Sequence, residues 1–174
     1  KGLGNADWVQ AAGERYRFQP TLRVSLDAAE FERAVVSALR ELRDGRPAAN
    51  QLRAALRLYR GDFLAGEKFG DWTLEWSDRL QRLQRDALRA LGAHELKAQR
   101  FSDAADLFEQ LVAADPLDED AHRQLIICNL QRGTRSEALR VYQRLRERLQ
   151  NELGTAPESA TMALIQPLEA PTST

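Results

Sequence analysis

Asp86-Ala87-Leu88-Arg89-Ala90-Leu91 is answered 34 positions later by Asp120-Ala121-His122-Arg123-Gln124-Leu125. The match continues at the same offset, with Leu96, Ala104, Phe108 and Leu111 meeting Leu130, Ala138, Tyr142 and Leu145. A fixed period in this range marks a helix-turn-helix unit that buries its apolar face against its own copy. The fold expected from it is all-α, and the use expected of it is a binding scaffold rather than a catalyst.

Working outward from the repeat, helices are expected at about 101 to 114, 118 to 132 and 135 to 152. Asp115-Pro116 separates the first two and Gly133 the next two, while Thr134 with Glu137 offers a capping box. Thr155, Pro157 and Glu158 announce a last short helix with Leu164 and Leu168 as its apolar contacts. Upstream, Trp72, Trp76, Leu80, Leu83, Ala87 and Leu91 recur at helical steps and share one face of a long helix. Burying two tryptophans there contributes several kcal/mol at roughly 25 cal/mol per Å². Two shorter helices precede it. The first starts at Asp27, with Glu30 placed for a capping box and Phe31, Val35, Leu39 and Leu42 as its stripe; the second follows Gly45 and Pro47 and carries Leu52, Leu56 and Tyr59. Between Gly61 and Asp71 a loop containing Phe63, Leu64 and Phe69 breaks the 34-residue spacing, its apolar side chains expected to tuck under neighbouring helices. The total is about seven helices. Ahead of them, residues 8 to 18 alternate apolar with polar around Gly13, which predicts a short β-hairpin.

Composition agrees with one compact unit. A chain of 174 residues, 43% hydrophobic and 29% charged, buries roughly 70% of the surface its unfolded form exposes. No apolar run approaches the roughly 20 residues of a membrane span, and no signal peptide opens the chain. A cytoplasmic location is expected. Lys1 at one end and Pro171-Thr172-Ser173-Thr174 at the other read as a piece of something longer, with residues 170–174 a disordered tail. The net charge is −1, divided as +4 over residues 1–60 and −5 over the remainder, too mild an asymmetry for strong phosphate binding.

Within the repeat, Ala104, Phe108 and Pro116, with Gly92 where two helices approach closely, follow the tetratricopeptide pattern. The second copy keeps Ala138 and Tyr142 and replaces the glycine by Ile126 and the proline by Gln150. The wider arrangement is more specific. Leu58-Tyr59-Arg60-Gly61-Asp62-Phe63-Leu64-Ala65-Gly66, then Asp71-Trp72, Arg100-Phe101-Ser102-Asp103-Ala104, Asp115-Pro116-Leu117-Asp118-Glu119-Asp120-Ala121-His122 and Glu152-Leu153-Gly154-Thr155-Ala156-Pro157 resemble the bacterial transcriptional activator domain. That domain occurs in the streptomycete antibiotic regulatory protein family and its relatives. The resemblance implies an activator domain over 24–169 that usually follows a winged helix. Gly13-Glu14-Arg15-Tyr16-Arg17-Phe18 is similar to the end of such a winged helix, so residues 1–23 form a hairpin segment of that kind. No helix-turn-helix precedes it, and DNA binding is expected only through a module absent from this chain.

Arg60-Gly61-Asp62 matches an adhesion tripeptide, but a turn needs glycine and the family pattern already contains these residues. Asp115, Asp118, Glu119 and Asp120 lack calcium-loop spacing and read as acids favoured at a helix start. His94, His122 and Cys128 have no metal-site spacing, Cys128 reading as a buried thiol, and no nucleophile-base pair appears. No cofactor, metal or catalytic residue is therefore expected. Arg15, Arg17 and Arg23 read as a solvated hairpin surface. What remains is the repeated pair Asp86-Arg89 and Asp120-Arg123. In tetratricopeptide proteins these positions face the concave groove, together with those held here by Ala93, Lys97, Ile127 and Gln131. The strip is either a partner-binding surface or a set of i,i+3 ion pairs worth roughly 0.2 to 0.5 kcal/mol. If it binds, replacing all four charged residues is expected to weaken binding while leaving the domain folded.

The reading is a non-catalytic regulatory domain that contacts transcription machinery, a second copy of itself in a homodimer, or a neighbouring domain. A generic peptide-binding adaptor and a small-ligand sensor are the alternatives.

Overall fold

The computed structural model of the protein describes residues 9–12, 15–18, 27–59 and 71–169. Among them are seven α-helices: α1 (Asp27–Arg43), α2 (Ala49–Leu56), α3 (Asp71–Lys97), α4 (Phe101–Ala114), α5 (Glu119–Gln131), α6 (Arg135–Arg148) and α7 (Ser159–Glu169). A π turn, Leu149–Leu153, extends α6. Two four-residue segments, β1 (Val9–Ala12) and β2 (Arg15–Phe18), pair antiparallel with Val9 opposite Phe18. The turn between them, the loop with Phe63, Leu64 and Phe69, the Arg60-Gly61-Asp62 tripeptide, Arg23, the Asp27 and Trp72 side chains and the expected tail at 170–174 lie outside the described residues.

Each helix packs on the next in sequence, and α1 also meets α3, as α5 meets α7. α3 is the shared spine. Its Leu80, Ala87 and Leu91 join Phe31, Val35 and Leu52 in a core beneath α1 and α2. Leu88, one helical step round, joins Phe108, Leu111, Leu125, Ile126 and Ile165 in a second core. The stripe predicted for α3 is thus only one of its two apolar faces. Trp76 is half-buried against the first core, and the Phe31 and Tyr59 rings lie with centroids 5.3 Å apart.

Helix ends follow backbone chemistry. Gly45, Gly133 and Gly154 take left-handed φ values of 75°, 77° and 66°, and each closes a helix. The π turn and Gly154 shorten the α-helix expected over 135–152: α6 stops at Arg148, and the Thr155 N–H donates to the Leu149 carbonyl at 3.2 Å. Asp118 caps α5, its carboxylate accepting from the Ala121 N–H at 2.9 Å. The capping box expected at Thr134 does not form. The Thr134 hydroxyl turns back to the Asn129 carbonyl at 2.9 Å, and Glu137 pairs instead with Arg140 at 2.9 Å. The Asn129 carbonyl at the end of α5 thus accepts from both the Thr134 N–H and its hydroxyl, and the second bond competes with the cap.

The repeat is visible as matched packing. Gly92 admits the Phe108 ring, since a Cβ on it would lie 2.8 Å from the ring edge. In the second copy Ile126 and Tyr142 occupy the equivalent places, both buried.

Candidate functional site

The repeated Asp-Arg pairs lie on helices α3 and α5, and their partners reach between helices. Arg89 donates to Asp118 at 2.5 Å, lies 3.9 Å from an Asp120 oxygen, and stands 4.0 Å from Asp86 within its own helix. Arg123 donates to Asp120 at 2.7 Å and to Glu158, just ahead of α7, at 3.0 Å, with the Thr161 hydroxyl oxygen at 3.4 Å. The Glu158 N–H in turn donates to Glu119 at 2.7 Å. A ladder of alternating charge therefore ties α3 to the start of α5 and α5 to the start of α7. Burial works against the Arg123 charge, and its hydrogen bonds to Asp120 and Glu158 more than offset this, raising its pKa above the ordinary value.

This corrects one expectation about the strip. Arg89 and Arg123 are not simple i,i+3 partners on a wet face, because both join separate helices. Replacing them together with Asp86 and Asp120 removes the ladder, so the fourfold variant no longer isolates binding from stability.

The remaining strip residues divide by position. Asp86, Ala93 and Lys97 border a groove of about 720 Å³ between α3 and α1, whose other wall is Leu39, Leu42 and Arg43. Ala90 and Leu96 complete the floor, and His94 borders it. Ile127, half-buried, and Gln131, exposed, lie further along on α5 and do not border this groove. Towards the other end of α1, Arg79 of α3 pairs with Glu32. The predicted strip on α3 and α5 thus borders an open seam between α1 and α3 and a clamped seam from α3 through α5 to α7.

Two polar residues escaped the sequence reading. Glu95 is fully buried, one carboxylate oxygen accepting from Arg53 of α2 at 2.5 Å and the other from Arg100. Asn129, also buried, stands 34 positions later, its side-chain amide donating to the Leu125 carbonyl at 3.0 Å and its carbonyl accepting from Thr134. In each unit a buried polar side chain near the end of the first helix is bonded to, or shares its bonds with, the residue five places on, immediately before the second helix. The signal was legible as two polar residues at the repeat offset inside apolar surroundings.

The acids at 115–120 serve the backbone. Asp115 accepts from the Leu117 N–H at 3.1 Å, Asp118 caps α5, and Glu119 accepts from the Glu158 N–H. Among the described residues no cluster of three His, Cys, Asp or Glu side chains is placed to hold a metal, and no helix is long and apolar enough to cross a membrane. Cys128 is buried, and desolvation pushes its thiol up to about 11.

Comparison with known proteins agrees with this architecture. The family model described as the bacterial transcriptional activator domain matches residues 26–168. The structure of Mycobacterium tuberculosis EmbR in complex with a low-affinity phosphopeptide is similar at a TM-score of 0.68 and 25% identity, covering 92% of this chain and 43% of that one. The chain thus spans less than half of EmbR. No curated protein matches.

Proposed function

The chain belongs to the bacterial transcriptional activator domain family, and on that premise we propose that it regulates transcription by receiving a protein partner on the strip from Asp86 to Gln131. The family is regulatory and non-catalytic, so the work of the domain is positional. The helices form a tetratricopeptide-like stack, and the sequence of residues 1–23 resembles the end of a winged helix. The partner is a component of the transcription machinery, a second copy in a homodimer, or a neighbouring domain, and the setting is the cytoplasm. DNA is reached only through a module outside this chain.

The observation that carries this reading is the contrast between the two seams. Where Arg89 and Arg123 cross-link the helices, their hydrogen-bonding capacity is largely committed within the fold. Where α1 meets α3, apolar floor and charged rim stand open. The similarity to EmbR, which was solved with a phosphopeptide, supports a protein that works through polypeptide contacts.

The test is made in the native host. Ala93→Arg and Lys97→Glu alter exposed positions of the strip, and RNA sequencing of a strain carrying both is expected to reproduce the transcript changes of a deletion at unchanged protein level. An unaltered transcript profile would defeat the regulatory role of this surface.

A further inference from the structure

We propose that the α1/α3 groove takes one amphipathic helix of another protein, about three turns long, whose first turn is acidic and lies over Arg43 and Lys97. The inference rests on the partner-binding reading above and adds the chemistry and direction of the partner.

The floor is apolar: Leu39 and Leu42 from α1, Ala90 and Leu96 from α3. All four are only partly buried, so a partner that covers them gains apolar contact without disturbing the core. From Asp86 to Lys97 the α3 wall rises about 16 Å at 1.5 Å per residue, the length of about three helical turns. A helix laid in such a groove presents side chains at i, i+3 or i+4 and i+7.

Charge sets its direction. Arg43 and Lys97 stand in the last turns of α1 and α3, and both border the groove. Neither forms an ion pair or side-chain hydrogen bond with another described residue, in contrast to Arg89 and Arg123. Asp86 marks the opposite end. The C-terminal ends of α1 and α3 are the negative ends of their dipoles, so they favour the positive N-terminal end of a docked helix, and acids are themselves favoured in a first turn. An acidic first turn placed there meets two cations that have no ion-pair partner among the described residues, and the docked helix runs antiparallel to both walls.

The probe is a fluorescent, helix-stapled twelve-residue peptide with a leucine stripe at i, i+4 and i+7 and glutamates in its first turn, titrated into the full chain by anisotropy. Controls carry lysines in place of the glutamates, or the same residues with the stripe scrambled. The glutamate peptide is expected to bind. Arg43→Glu with Lys97→Glu should weaken it by about tenfold or more and restore binding to the lysine peptide. Ala93→Arg, an exposed position on the groove wall, should abolish binding with thermal unfolding unchanged. Absence of binding, equal binding of all three peptides, or indifference to Ala93→Arg overturns the proposal. So does concentration-dependent self-association that Ala93→Arg removes, which assigns the groove to a second copy. The two readings fail separately: transcript changes without peptide binding leave the regulatory surface standing and remove the acidic helix, and peptide binding without transcript changes does the reverse.

Discussion

Gln99 sits at φ 58°, a left-handed conformation, at the place in the first unit that Gly133 holds in the second. The surrounding bonds match: Gln99 and Gly133 each donate back to a leucine carbonyl at 3.0 Å, and Arg100 and Thr134 donate to Glu95 and Asn129 carbonyls at 2.9 Å. An L-residue pays about 1 to 2 kcal/mol for this conformation, partly offset by glycine's larger loss of freedom on folding. Gln99→Gly is therefore expected to stabilise the domain by roughly 0.5 to 1 kcal/mol in urea unfolding. Gly133→Ala should cost about 1 kcal/mol, because a Cβ there meets nothing within 4 Å and only the backbone is strained. His122 supplies a prediction in pH. Desolvation lowers its pKa below 6.5, with the charges of Arg144 and Arg148 adding to this against the bond to the Asp118 carbonyl at 2.9 Å. Between the folded and unfolded pKa values the unfolded chain binds the extra proton, so stability is full above pH 6.5 and falls as the pH drops. His122→Gln should flatten the melting temperature between about pH 7 and 5; an unchanged slope would assign it to other groups. The left-handed position was legible at Gly133 and hidden at Gln99, because glutamine carries no local sign of a conformation that the two flanking helices impose.

At the scale of elements, the buried carboxylate of Glu95 fastens α2 to the connection between α3 and α4. Arg53→Ala leaves one of its oxygens without that partner and should cost about 1 to 3 kcal/mol in urea unfolding, and Arg100→Ala, which removes the partner of the other oxygen, should lower the urea midpoint as well. The double variant should lose more than the sum of the two, since both serve one carboxylate. Gly92→Ala forces a Cβ against the Phe108 ring and should cost roughly 1 to 3 kcal/mol. Much at this scale was legible: the helix order follows from the apolar stripes and turn residues, and the Gly92 approach and the small residues Ala104 and Ala138, both fully buried, follow from the period. The second apolar face of α3 was not, because Leu88 lies outside the single stripe drawn through Ala87 and Leu91. Ile165 and Thr161, buried on α7, fall beyond the repeat, where no second copy marks them.

For the whole molecule, the ladder through Arg89 and Arg123 should make the α5 to α7 contact sensitive to salt. Arg123→Ala is expected to cost about 1 kcal/mol at low ionic strength and less at high salt. Amide exchange should quicken in α7 while α3 and α4 keep their protection; uniform quickening would mean that the arginine supports the entire stack instead. The candidate strip was legible as a row of residues, and its division into an open and a clamped seam was not. That division depends on Asp118 and Glu158, which are absent from the repeated pair, and on α1, which the period does not reach.

The clamped seam also has a mechanical consequence. From α3 to α7 the inner cross-links make a stiff beam, whereas α1 and α2 lean on α3 through a separate core and through Arg53 and Arg79. A body wedged between α1 and α3 is therefore expected to load the α1–α2 hairpin at its foot on α3 before it bends the beam. The 17 residues of α1 would carry a displacement at Leu42 to Asp27, where the preceding chain is attached.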